Sequence, residues 1–247
     1  MLRPPPPPPP PHHNHHHSDH KEASSTTTTT TTTAPEKEKV DVRLPRALRP
    51  LHYLVRLQPL INGNFSILGY VEVEMEVLEA TSNITLHIRD IITYNDTVKL
   101  RAAQDPTGPG LAIAAHQFDN EREFYVAHLN ETLQPGDKYV LSMHFIGLLN
   151  DMMKGFYRSS YRHADGTETW LAATQFQATD ARRAFPCFDE PGLKATFEVH
   201  LARQSNMTSL SNMPSRKPFP WRTRRAGYGT STTPPSDVHL PPRLRRF

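Results

Sequence analysis

At 247 residues with a single cysteine and a net charge of +3, the chain can hold one core of moderate size and no intrachain disulfide. The charge is uneven: residues 215–247 carry eight Lys and Arg against Asp237, a balance of +7, which leaves −4 on the rest. A basic, proline-containing run without a base-reading motif is a solvated charge run, so no nucleic-acid partner is expected.

Residues 1–42 open with a proline run, a histidine cluster and a threonine run, and supply too little apolar surface to offset the entropy of ordering. They read as a disordered stalk. Its six histidines between His12 and His20 can chelate a metal adventitiously, but a tract with no supporting shell fixes no geometry.

From Leu44 the pattern is that of strands. Tyr53–Gln58 is the first candidate. In Tyr70–Val77 the apolar Val71, Val73, Met75 and Val77 alternate with Glu72, Glu74 and Glu76, the period of a strand with one buried and one wet face. The three glutamates are read as that wet face and not as a cation site. After the turn at 80–83, Ile84, Leu86 and Ile88 alternate with Thr85, His87 and Arg89, which predicts a hairpin with the preceding strand. Further strands are expected at Val98–Ala102, Glu123–His128, Tyr139–Ile146, Thr169–Ala173 and Thr196–Ala202, with turns at 104–110 and 134–137. The Met- and aromatic-rich run 148–161 reads as core packing, with the lining of an apolar pocket as the second reading. Many short strands and little helix predict an all-β fold, an antiparallel saddle or sandwich.

Chemistry concentrates in 175–191, QFQATDARRAFPCFDEP. Cys187 has no histidine near it in sequence, and two acids follow it closely, so it reads as a buried structural thiol. Asp180, Arg182, Arg183, Asp189 and Glu190 read as ion pairs that fix a loop. Gln175 and Gln177 are one residue apart, so on an extended segment both amides leave the same face. Their carbonyls can accept hydrogen bonds from a substrate ammonium, although two glutamines on a solvated strand are the commoner case.

No histidine is followed by Glu, and there is no G-x-S-x-G, phosphate-cradling glycine loop or C-x-x-C. No catalytic residue and no metal ligand is therefore assigned. Five N-x-S/T sequons, at Asn64, Asn83, Asn95, Asn130 and Asn206, take half of the ten asparagines. They point to a glycosylated, extracellular chain, although no apolar run reaches the ~18 residues that span a bilayer and no secretory signal is visible.

The run Trp170–Phe197, WLAATQFQATDARRAFPCFDEPGLKATF, closely resembles the amino-terminal domain of zinc aminopeptidases of the aminopeptidase N type. Arg43-Leu-Pro-Arg46, the YVEVEMEV strand, Ile84–His87, Gly155–Ser159 and Ser209–Pro214 follow in the family's order. The resemblance covers 43–214. It implies a β-rich saddle set against a thermolysin-like catalytic domain, with Gln175 and Gln177 holding the free amino terminus of a peptide. It also implies zinc in the parent family, bound by H-E-x-x-H with a distant Glu, and a G-A-M-E-N loop that binds the substrate's amino terminus; this sequence has neither motif, so this chain is expected to bind no zinc and to be inactive alone. Residues 215–247 resemble nothing in the family. The expectation is a truncated aminopeptidase on the extracellular face of the plasma membrane or secreted, a homodimer in its full-length form. A non-catalytic extracellular glycoprotein module is the alternative. A transcription scaffold of the same architecture is a third reading, disfavoured by the sequons.

Overall fold

The computed structural model describes residues 41–61 and 63–213, and the backbone of 236–240. The expected stalk, apart from residues 41 and 42, and most of the basic tail lie outside the described residues.

The fold is all-β, as expected. Strands β1 (Leu48–Pro59) and β2 (Ser66–Val77) form an antiparallel pair. The chain then runs through β3 (Thr81–His87), β4 (Ile91–Thr93), β5 (Lys99–Ala102), β6 (Ile113–Asp119), β7 (Phe124–Leu133) and β8 (Lys138–Leu148). It continues with β9 (Gly155–Arg162), β10 (Glu168–Gln175), β11 (Thr196–Arg203) and β12 (Ser236–Leu240). Two 3₁₀ turns, Asn95–Thr97 and Ala181–Arg183, are the helical pieces among the described residues.

The larger sheet runs β12-β11-β1-β2-β8-β4, with β5 also on β8. A second sheet runs β3-β7-β6, and β9 with β10 forms a two-stranded ribbon. Alternation accounts for the large sheet's inner face. Register aligns Val199, Val55, Val71 and Met143 in one row and Phe197, Tyr53, Val73 and Leu141 in the next. Such cross-strand rows are what stabilise a sheet. Val71, Val73, Met75, Leu141 and Met143 have no exposed surface. In the following row Gly69 faces Phe145, whose ring lies where a Cβ would stand. The glutamates of β2 take the other face, as read, and are engaged there: Glu76 by Arg49, and Glu72 by the Tyr70 hydroxyl.

Two features differ from the sequence reading. β3 does not form a hairpin with β2. Both edges of β2 are taken by β1 and β8, so the turn after Val77 hands the chain to the second sheet, where β3 pairs with β7. Thr85 and His87 are buried along with Ile84 and Leu86, so the end of β3 has no wet face, and apparent alternation misassigned it. The second is that β11 lies parallel to β1, the parallel pair in otherwise antiparallel sheets. Within 148–161, Leu149 and Phe156 join the core, whereas Met152 and Met153 are exposed.

Candidate functional site

β10 ends at Gln175, which pairs with Gly155 at the start of β9. From there the chain leaves the ribbon and turns, with Asp180 N–H donating to Phe176 O at 2.9 Å, into the 3₁₀ turn Ala181–Arg183. Phe176 is half-buried and meets Phe185 edge-on at 6.2 Å. Phe185 meets Tyr53 and Phe197, which stack at 4.6 Å. One aromatic side chain thus ties the loop to the core. Gln175 and Gln177 flank it and are exposed, and neither amide is bonded to another side chain among the described residues. The Gln177–Ala178 peptide is cis.

Behind the loop, the arginines are clamps. Arg182 is 6% exposed; its Nε donates to Asp189 Oδ2 and its Nη1 to Glu123 Oε2, both at 2.9 Å. Glu123 also pairs with Arg89. Arg183, equally buried, donates from Nε to Asp180 Oδ1 at 3.0 Å and pairs through Nη1 with Asp90. With bidentate donors met on more than one side, these buried charges are compensated. Sequence reading had these acids and arginines form ion pairs that fix the loop but named no partner outside the segment; Asp90 and Glu123 come from turns far away in the chain. Both have left-handed backbones, φ +55° and +59°, uncommon for non-glycine residues.

Gly155 sets the distance between ribbon and turn. Its φ is +68°, and a Cβ there would stand 2.6 Å from Arg183 Cβ and 3.0 Å from Asp180 O. Only glycine allows that approach in that conformation.

Cys187 is buried, and its backbone exchanges two hydrogen bonds with His87 at 2.8 and 3.1 Å. Burial, followed by the charge of Asp189, pushes its thiol well above the usual range, the opposite of what a nucleophile needs. His87 Nδ1 accepts from Asp189 N–H at 3.3 Å, and Nε2 lies 3.4 Å from Val42 O. Burial, then Arg182, lowers its pKa, so it is neutral with its proton on Nε2. Tyr53, whose hydroxyl accepts from Phe188 N–H at 3.0 Å, is held protonated by burial. Glu190 accepts from Leu44 N–H at 2.6 Å and Arg43 Nη1 at 3.3 Å. These groups hold the loop in place and present no reactive acid, base or nucleophile. Among the described residues, no group of three or more His, Cys, Asp or Glu side chains is placed to hold a metal ion.

Residues 49–223 match the model of the peptidase M1 N-terminal domain. The chain belongs to this family. This M1 N-terminal domain is 41% identical to puromycin-sensitive aminopeptidase of Caenorhabditis elegans over 173 residues, 69% of this chain and 17% of that protein. It is 38% identical to aminopeptidase N of Canis lupus familiaris over 208 residues, 80% of this chain and 21% of the relative. It is 39% identical to aminopeptidase M1 of Arabidopsis thaliana over 179 residues, 71% and 20% of the two chains. The chain therefore spans about a fifth of the length of these relatives. Both glutamines and the clamps lie inside the matched range, which reaches nine residues beyond Pro214. The five sequon asparagines are all exposed. No helix among the described residues is long and apolar enough to cross a membrane.

Proposed function

We propose that residues 43–214 form the wall of an aminopeptidase active site that receives the free amino terminus of a peptide, with Gln175 and Gln177 as the receiving groups. The observation that carries this reading is the loop itself: two exposed amides held on either side of an aromatic anchor, with buried ion pairs behind. Amide carbonyls accept hydrogen bonds from an ammonium without the desolvation cost of another buried charge. A turn that does not move pays little entropy when it binds. In this reading residues outside the domain supply zinc, which would polarise the scissile carbonyl and activate water; the domain's own part is to bind and orient.

The domain also carries glycans on an extracellular protein in this reading. At Asn64 and Asn95 the side-chain oxygen accepts a hydroxyl bond, from Ser66 at 2.8 Å and Thr93 at 3.0 Å, which leaves Nδ2 as the free atom of each amide. A mobility shift on glycosidase treatment of the secreted chain is the expected result.

To test the substrate role, residues 43–214 replace the matching domain in the aminopeptidase N relative. Gln175→Ala with Gln177→Ala is then expected to raise KM for aminoacyl substrates about tenfold, the scale of a lost hydrogen bond to a charged group. An unchanged KM in a folded, active chimera overturns the assignment. The full chain alone, supplied with zinc, is expected not to turn over an aminoacyl reporter.

A further inference from the structure

Away from the glutamine loop, β5 carries Lys99 and Arg101 on either side of Leu100, which is fully buried. With alternating directions, the two cations leave the strand on one side. The chain then turns at 103–108 and comes back at Leu111, whose N–H donates to Leu100 O at 2.8 Å, before β6 brings in His116. Strand, returning loop and Asn95 line a half-open cavity of about 710 Å³. Its wall includes Lys99, Arg101, His116 and Thr107, and no Asp or Glu. The volume is that of a small-molecule site, and a concave wall of one sign concentrates potential.

Arg101 is fixed before any ligand arrives. Its Nη1 donates to Pro106 O at 3.0 Å. The carboxylate it approaches, Glu72, is 4.0 Å from Nη2 and already accepts the Tyr70 hydroxyl, so no tight pair neutralises the guanidinium. Its Nε is buried with no hydrogen-bond partner. His116 Nδ1 lies 2.8 Å from the Tyr125 hydroxyl. Burial pushes the Tyr125 phenol well above its usual value, so it stays protonated and donates to Nδ1, leaving the imidazole proton on Nε2. Desolvation lowers the His116 pKa, so the ring offers a neutral N–H. Asp105 is a second nearby acid: it is exposed, lies beside Gly108 and accepts from Thr107 Oγ1 at 3.4 Å, outside the cavity wall.

We propose that this cavity binds a small molecule through a phosphate or sulfate group, with Lys99 and Arg101 taking the oxyanion and His116 Nε2–H supplying a neutral donor. The cavity exceeds what a bare tetrahedral oxyanion fills, so the remaining volume suits a sugar-sized body.

The test is calorimetric titration of the full chain with inorganic phosphate, inorganic sulfate, a hexose phosphate and a sulfated disaccharide, each against sodium chloride at equal ionic strength. Saturable binding is expected, and Lys99→Glu should weaken it at least about tenfold, the scale of a charge-assisted bond. Lys99 is exposed, so this variant does not threaten the fold. Lys154→Glu, exposed in the loop beyond the opposite end of β8, should bind as the parent does. Tighter hexose phosphate assigns a phosphorylated ligand, and tighter sulfated disaccharide a sulfated glycan; equal affinities assign the free ion. Heats matching those of chloride, or binding unchanged in Lys99→Glu, overturn the proposal.

Discussion

The sheet around β1, β2 and β8 and the ribbon of β9 and β10 are built on opposite terms. In the sheet, buried and outward residues alternate along β2 and, apart from the buried Ser142, along most of β8, and inner rows interlock across four strands. In the ribbon only Gly155 and Phe156 are buried, and β10 has no buried residue at all. The ribbon nevertheless carries Gln175. Apolar area holds the sheet, whereas the ribbon's end is positioned by a few directional contacts: two arginines, one glycine and one aromatic anchor. Stability and site geometry are therefore separable by mutation.

The largest expected effect is in the sheet. Phe145→Ala removes a ring that is 1% exposed and packs over Gly69, and should cost about 3–5 kcal/mol in denaturant unfolding. A loss under about 1 kcal/mol would show that the rows are not the source of stability. Arg182→Leu leaves Glu123 and Asp189 without their shared partner and should cost about 2–3 kcal/mol, below the full penalty for a broken buried pair because both carboxylates keep some solvent. Gly155→Ala forces a side chain into a left-handed position against Arg183 and should cost about 1–3 kcal/mol. Its sharper readout is the Gln175 and Gln177 amide resonances, which should shift while those of β2 and β8 stay.

The pH effect comes chiefly from His87, among the described residues the more deeply buried of the two histidines whose pKa is lowered. Its folded pKa is lowered, by burial first and by Arg182 second. The unfolded chain therefore takes up a proton below about pH 6.5 that the fold resists, and stability falls as pH drops through that value. His87→Gln should flatten the fall, read as the difference in denaturation midpoint between neutral and mildly acidic buffer. The smallest effect belongs to Gln175→Ala with Gln177→Ala. Both side chains are exposed and unbonded to other side chains, so stability should move by less than about 0.5 kcal/mol. A larger loss would mean that these amides hold the loop, which would blur the contrast with the sheet.

The same contrast governs what could be read in the sequence. β2 and β8 were legible because one face is dry and the other wet. β6 and β9 were not, since their exposure follows no period of two. The partner of β3 was misjudged because pairing is a contest among distant strands, and alternation within one segment does not reveal who already occupies an edge. Cys187 and the ion-pair character of 180–190 were legible from residue types, but Asp90 and Glu123 stand 93 and 59 residues from the arginines they meet. Gln175 and Gln177 were possible ligands by chemistry and were singled out through resemblance alone. The cavity at Lys99 and Arg101 gave no sign in the sequence, because a loop's return path created it.

Asp90 and Glu123 are caught between two requirements. Glycine at either position would relieve a left-handed backbone by about 1 kcal/mol and remove the carboxylate that a buried guanidinium depends on. Asparagine at 90 would tolerate the backbone and still lose the charge. Stabilising substitutions chosen by local conformational preference would thus select the wrong residue at both turns and loosen the glutamine loop from behind, without touching a residue in the loop.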